Sequence, residues 1–549
     1  MTSGALFCKI VEEHLFVPAE MQPPGESPRA FFMGVCALFV RVLSFALEGI
    51  EAVPVTVEVD VSPGIPAFDI VGLPDAAVRE SRERVRAAIR NGGWPFPAHR
   101  ITVNLAPAYT RKGGPGFDLA IALGILAAGG QVPGPALDGV AFAGELALDG
   151  ALRPVRGALA MALTARASGC RALMVPPGNA AEASLAGSSV FTARDLTTVV
   201  LHLTGQAPLE PARTSSSAVE PDRPPAPDLA DVKGQLAARR ALEVAAAGGH
   251  NLLMMGPPGA GKSLLARCLP GVLPPLEPDE ALEVSRIHSV AGLLAGGGLL
   301  RARPFRAPHH CASRSAILGG GNPLRPGEIT LAHRGVLFLD ELPEFDRPVL
   351  EGLRQPLEEG RVLLSRVHAN AAFPARPILV AAANPCPCGY LGDSARACIC
   401  PAASVNLYRS RLSGPLVDRF DLQIFLEPVP FEHLLVSGAG GAEPSETVRR
   451  RVVAARALQR ARLQGTGMTY NAEMTVPQVR RYCRLPRGGE SLMRQAMERF
   501  GLSLRGHDRV LKVARTIADL AGSEGLEVPH VAEALQYRSL ERTAQAVGK

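Results

Sequence analysis

Little in this chain points into a bilayer or out of the cell. No long unbroken apolar run occurs in its 549 residues. The best candidate, Phe31 to Leu47, is interrupted by Arg41 and Ser44 and is too short to read as a membrane span. It lacks a basic start and a small-residue cleavage site, which argues against a secretory leader. Ten cysteines in a chain of this length do not make a disulfide framework, so a reducing, cytoplasmic setting is expected. Charge of one sign is also scarce: a net +6 permits a polyanionic partner without demanding one. No internal repeat stands out. Lysine is missing altogether between Lys112 and Lys233. What the chain does have is 47% hydrophobic residues, enough for sizeable cores, and a length that suits about three or four domains.

Gly256-Pro257-Pro258-Gly259-Ala260-Gly261-Lys262-Ser263 satisfies G-x-x-x-x-G-K-[ST] at each fixed position. An apolar run, Asn251 to Met255, precedes it as a strand, and Leu264 to Leu269 follows it as a helix start. That context makes the segment a phosphate-binding loop: glycines let backbone N–H groups curl around an anion, and the helix dipole favours it. Lys262 is then placed to reach the β- and γ-phosphates, and Ser263 to help hold Mg²⁺. Downstream, Gly335 to Leu339 reads as a buried parallel strand ending in Asp340 and Glu341. Asp340 suits Mg²⁺, and Glu341 suits orientation of an attacking water.

Before this region the chain alternates strands and helices. Val53 to Val61 has period-two alternation. Asp75 can cap a helix to about Asn91 that carries Arg79, Arg82, Arg84, Arg86 and Arg90. Ile101 to Leu105, Val140 to Leu148 and Ala172 to Val175 read as strands, Phe117 to Ala128 and Gly157 to Ser168 as helices. The expected domains are a poorly ordered extension (1–42), an α/β domain (43–205), a Pro-rich linker (206–228), the nucleotide-binding domain (229–430), a Gly-rich connector (431–447) and a helical region (448–549).

Four further signals give the chain a resemblance. Pro304-Phe305-Arg306-Ala307-Pro308-His309-His310, Pro326-Gly327-Glu328-Ile329, Ala383-Asn384-Pro385-Cys386-Pro387-Cys388-Gly389 and Leu412-Ser413-Gly414-Pro415 follow in order, and Val513 to Leu520 lies near the end. With the phosphate loop and the Asp-Glu strand, they make the chain resemble the Mg-chelatase-like ComM/YifB family of AAA+ ATPases. The resemblance implies an AAA+ domain with a helical lid, behind a Lon protease-like (S5-like) α/β domain. It gives Asn384 the sensor-1 role, Arg419 that of an arginine finger, and Arg505 sensor 2, with Arg509 the alternative. A finger acts on a neighbour's nucleotide, which implies a ring; the competing reading of Arg419 is a salt bridge to Asp418 or Asp421.

In the Lon-like domain, Arg111 to Leu119 aligns with the loop that carries the protease serine. Gly116 stands at the nucleophile position and the partner lysine is absent, so no Ser–Lys mechanism is available. An adaptor or DNA-contacting module is expected there.

Cys386, Cys388, Cys398 and Cys400 form C-x-C…C-x-C, which suits tetrahedral Zn²⁺ or a loop of free thiols. His309 and His310, if extended, point opposite ways and are poorly placed to share an ion. Arg361 to Asn370 reads as a hairpin; Arg366 and His368 near its tip either grip nucleic-acid phosphates or are merely solvated. The basic helix from Val448 to Arg462 scatters its arginines around the axis, which suits a solvated or intersubunit face. The resemblance implies a homohexameric, ATP- and Mg²⁺-dependent motor that drives DNA branch migration in natural transformation. The rival is a chelatase-type ATPase that remodels a protein partner.

Overall fold

Glu51–Ser62 alternates along its length, and Val55, Val57, Val59 and Val61 all turn inward. Such a strand needs a partner on each edge and a helix on its buried face. In the computed structural model, which describes residues 39–109, 111–212, 226–294, 298–321, 324–366, 369–393, 396–428, 443–500 and 502–538, it has them. It pairs antiparallel with Phe39–Glu48 and with Arg100–Ala106. The full seven-stranded sheet runs 67–71, 100–106, 51–62, 39–48, 140–142, 172–175, 190–192. Asp118–Ala128 is buried all round, which explains why its sequence is apolar without periodicity. The first described strand starts at Phe39, ahead of the expected boundary at 43. The strand expected over 140–148 is two pieces, Val140–Phe142 and Glu145–Leu146, the second paired with Leu152–Arg153.

Helix Ala76–Asn91 begins where Asp75 accepts a hydrogen bond from Val78 N at 2.8 Å. Its arginines divide. Arg84 turns inward, its Nε 2.6 Å from the fully buried Asp118, while Arg79, Arg82 and Arg90 stay exposed and Arg86 is half-buried.

The second sheet is parallel throughout, in the order 305–306, 336–339, 378–383, 252–255, 422–425. Numbered along the chain this is 5-1-4-3-2 read from the 422–425 edge. Strand Leu252–Met255 therefore sits where the winding reverses, and the crevice beyond its carboxyl end is where such sheets bind ligands. Val336–Leu339 and Ile378–Ala383 are buried at every position, as two-sided coverage requires.

Helices Ser445–Leu463, Val476–Tyr482, Arg487–Phe500, Leu504–Leu520 and Val528–Gln536 close over Leu236–Gly248 in one shared core. The basic helix is solvated on one side only, where Arg450 and Arg460 are exposed. Arg456 is buried, donates to Ala246 O at 2.6 and 2.9 Å and lies 4.4 Å over the Tyr470 ring. Arg451 bonds Glu443 and Glu243, and Arg462 pairs with Asp519. Its scattered arginines serve contacts within the chain on several sides.

The two sheets' domains touch directly: Gly157 N donates to Ser289 O at 3.1 Å, and Arg286 pairs with Glu51 at 2.9 Å. Most of the expected extension (1–38), most of the linker (213–225) and most of the connector (429–442) lie outside the described residues. Among the described residues, no helix is long and apolar enough to cross a membrane.

Candidate active site

The phosphate loop joins strand Leu252–Met255 to helix Lys262–Val272. Gly259 and Gly261 take φ of +80° and +91°, values that a side chain would strain, and they open the loop into a concave cradle at the helix start. Lys262 is nine-tenths buried and folds over the loop. Its Nζ donates to Gly256 O at 2.7 Å, Pro257 O at 2.9 Å and Asn384 Oδ1 at 3.0 Å. Burial lowers its pKa, and Asp340 and Glu341 act against that shift.

Ser263 Oγ donates to Asp340 Oδ2 at 2.7 Å, so the two expected Mg²⁺ groups stand together. A hydroxyl and a carboxylate beside a phosphate cradle are the hard-oxygen set that Mg²⁺ takes alongside nucleotide oxygens. Glu341 adopts φ of +51°, an uncommon backbone for a residue with a side chain and of the kind that collects at working sites. Its N–H donates to Asp340 Oδ1 at 3.0 Å, and its half-exposed carboxylate lies 3.3 Å from His310 Nδ1. Asn384 follows directly on strand Ile378–Ala383, so the parallel register carries it to the crevice beside Lys262.

His310 is a site residue that sequence reasoning missed. The adjacent histidines do not point opposite ways: their rings lie 4.1 Å apart at 35°. The strand that precedes them ends at Arg306, and the chain turns at His310 and Cys311, so the extended geometry behind that expectation does not hold. Ring nitrogens of both and the Cys311 sulfur gather within 4.8 Å of one another. Arg306 explains the coincidence of two motifs, because it forms a bidentate pair with Glu328 at 2.6 and 2.7 Å.

Arg419 is buried and Arg505 exposed, yet both reach one carboxylate, Glu358. The Arg505 contact is 3.6 Å. Neither Asp418 nor Asp421 pairs with Arg419. Asp421 is taken by His250 at 3.2 Å and Arg509 at 3.6 Å, and Asp418 faces Arg538 at 3.8 Å. Burial opposes ionisation of Asp421, but His250, Arg509 and Lys512 outweigh it and hold its carboxyl near 2. Arg509, the alternative to Arg505, is thereby committed to an internal pair.

The four cysteines converge. Sγ–Sγ distances are 3.4 Å for Cys386–Cys388 and 3.6 Å for both Cys386–Cys398 and Cys388–Cys398, with Cys400 Sγ within 4.8 Å of the rest. N–H groups of Tyr390 and Ile399 bring the Cys388 thiol down to about 6 despite its partial desolvation. At Cys398 the Cys400 N–H favours the thiolate, yet desolvation and the neighbouring thiols push it up to about 12.

Strands Arg361–Arg366 and Ala369–Pro374 pair antiparallel, with Arg366 opposite Ala369, as a hairpin requires. His368 lies outside the described residues, as does the Arg366 side chain.

Comparison with known proteins finds relatives along most of the chain. Residues 228–434 match the family described as magnesium chelatase, subunit ChlI. Residues 57–179 match subunit ChlI of Mg-chelatase, and 442–538 match the ChlI C-terminal family. YifB of Salmonella typhimurium is 44% identical over 500 residues, 90% of this chain and 96% of its own. Competence protein ComM of Haemophilus influenzae is 45% identical over 508 residues, 92% of this chain and 98% of its own. Magnesium-chelatase subunit ChlI of Euglena gracilis is 25% identical over 156 residues, 24% of this chain and 45% of its own. Likeness to YifB and ComM over nine-tenths of the chain, joined to a phosphate loop at the switch point of a 5-1-4-3-2 sheet, shows that the chain belongs to the ComM/YifB family of Mg-chelatase-like AAA+ ATPases.

Proposed function

We propose that this protein is a cytoplasmic ATP-driven ring motor, a homohexamer that moves along single-stranded or branched DNA and drives branch migration during recombination. The observation that carries the catalytic half is the convergence of Lys262, Ser263, Asp340 and Asn384 at one strand-end crevice, with Glu341 next in the chain. Lys262 already spends its donors on two loop carbonyls and the Asn384 amide. A nucleotide's phosphates would draw that ammonium off the loop and leave the amide free to orient water. Glu341 is the general base, with its carboxylate half-exposed beside His310. Ser263 and Asp340 would hold Mg²⁺, which supplies charge neutralisation at the transferred phosphate. The four cysteines offer zinc a separate site.

The DNA half rests on three supports. A relative that shares 45% identity over nearly its whole length carries the name competence protein. The paired strands 361–374 form a hairpin inserted between the Asp-Glu strand and the Asn384 strand. On the amino-terminal domain, Arg79, Arg82, Arg86 and Arg90 recur at helical spacing along one face, and Arg79 and Arg82 join Arg100 around an opening of about 300 Å³. In this reading the amino-terminal domain is a Lon-like module without protease chemistry, since Gly116 offers no hydroxyl. Arg419 acts as a finger in a neighbour's site, exchanging Glu358 for a γ-phosphate.

The experiment is ATP turnover and strand exchange by the purified protein on synthetic three-way and four-way junctions, compared with duplex DNA and no DNA. Stimulation by junction or single-stranded DNA supports the motor. Stimulation by a protein partner with indifference to every DNA offered would favour the chelatase-type remodeller.

A further inference from the structure

We infer that the four cysteines bind one zinc ion, and that this ion fastens the Asn384 segment against the phosphate loop so that ATP turnover depends on it. The inference rests on the ATPase reading above and is independent of the DNA reading. A tetrahedral Zn–S₄ centre with bonds of about 2.3 Å sets its sulfurs about 3.8 Å apart. Three of the sulfur pairs here stand 3.4 to 3.6 Å apart, well beyond the roughly 2.05 Å of a disulfide. Backbone N–H groups aim at sulfur, among them Cys388 N at Cys400 Sγ and Cys400 N at Cys398 Sγ, both 3.4 Å. Such contacts stabilise thiolates that ligate a metal. Four thiolates with no oxygen ligand select zinc over Mg²⁺ or Ca²⁺.

The position of the knot gives the ion its consequence. Cys386 is buried and follows Asn384 by two residues. Gly389, at φ +86°, turns the loop back so closely that a Cβ there would stand 2.6 Å from Pro258 Cδ in the phosphate loop. Gly389 N donates to Cys386 O at 3.0 Å, and Arg409 Nε holds Pro385 O at 3.3 Å. The segment that presents Asn384 to Lys262 is thus held at its far side by the cysteine knot and the Arg409 contact, with no strand among its described residues. Without the cation the cysteines take their protons back and share no common centre, so that tether would open and the amide would lose its aim.

The test uses the full chain purified under reducing conditions without added metal. Elemental analysis should find one zinc per chain, and X-ray absorption should find four sulfurs at about 2.3 Å. Mercurial titration should release the zinc as four thiols react. Removing the ion should lower kcat at least roughly tenfold, while fluorescent ATP analogue binding changes less, and zinc should restore turnover. The Lys262→Ala variant, inactive by design, should keep its zinc, which separates metal binding from turnover. A chain with four free thiols and no metal, one with two disulfides, or one holding iron would overturn the site. Full turnover after zinc is stripped would overturn the coupling.

Discussion

Lys262, Asp340 and Glu341 occupy positions that the chain announces by pattern alone, and the structure adds what each touches. Lys262→Ala removes the ammonium that bridges loop and Asn384, and should cut ATP turnover by roughly a hundredfold or more while the protein stays folded, as circular dichroism would check. Glu341→Gln keeps shape and removes the base. Nucleotide binding should persist while turnover falls by roughly 10²- to 10⁴-fold, read by comparing fluorescent ATP analogue affinity with phosphate release. His310 was not legible in the same way. Its pairing with Glu341 depends on a turn after Arg306, and no periodicity in the sequence marks that turn.

At the scale of elements, two charged arrangements make separate predictions. The outward arginines of Ala76–Asn91 have Glu83 at the margin of their face and Asp69, paired with Arg100 at 3.6 Å, across the opening beside Arg79 and Arg82. Arg79→Glu, Arg82→Glu and Arg86→Glu together should weaken oligonucleotide binding by tenfold or more at low salt. The salt slope should drop by about 0.7 per lost phosphate contact, read by fluorescence anisotropy. Basal ATP turnover should be unchanged. Arg84 is excluded from that set because it anchors Asp118. The second arrangement links sheet to lid: Asp421 joins His250, at the entry to the phosphate-loop strand, to Arg509 of Leu504–Leu520. Its carboxyl sits near 2 instead of its usual 3.8, so it stabilises the fold fully above about pH 4 and loses that contribution as pH falls through 2. Asp421→Ala should cost about 3 kcal/mol in denaturant titration at pH 7, because the Arg509 guanidinium loses its carboxylate and the buried His250 ring loses its Nδ1 partner. The basic helix Ser445–Leu463 shows where element-scale reading fails. Counting arginines around its axis points to a solvated or intersubunit face, which the exposed Arg450 and Arg460 fit in part, but the partners of buried Arg456 and part-buried Arg462 are distant in sequence and come together only on folding.

For the whole molecule, the ring is the decisive expectation. Arg419 is held by Glu358 within its own chain, so a role at a neighbour's nucleotide requires that pair to open on assembly. Arg419→Ala alone should lower turnover about a thousandfold. Mixed with Lys262→Ala subunits, it should regain part of the activity, since each intact phosphate loop can then face an intact finger. Full turnover by the single variant would place the finger elsewhere, and analytical ultracentrifugation with ATP would report the ring directly.

The sequence by itself determined the nucleotide chemistry. A phosphate loop is a local object, eight consecutive residues whose glycines and helix start do their work wherever the fold puts them, and the apolar strands beside it had to be parallel because both their faces are hydrophobic. Only the tertiary structure decided which carboxylate each arginine meets, that His310 stands beside Glu341, and that the cysteine loop turns back at Gly389 against Pro258. The farthest of those contacts, such as Arg419 with Glu358 and Arg451 with Glu243, span tens to hundreds of residues, and pairing over such distances depends on where sheets and helices come to rest, which no local pattern of residues encodes.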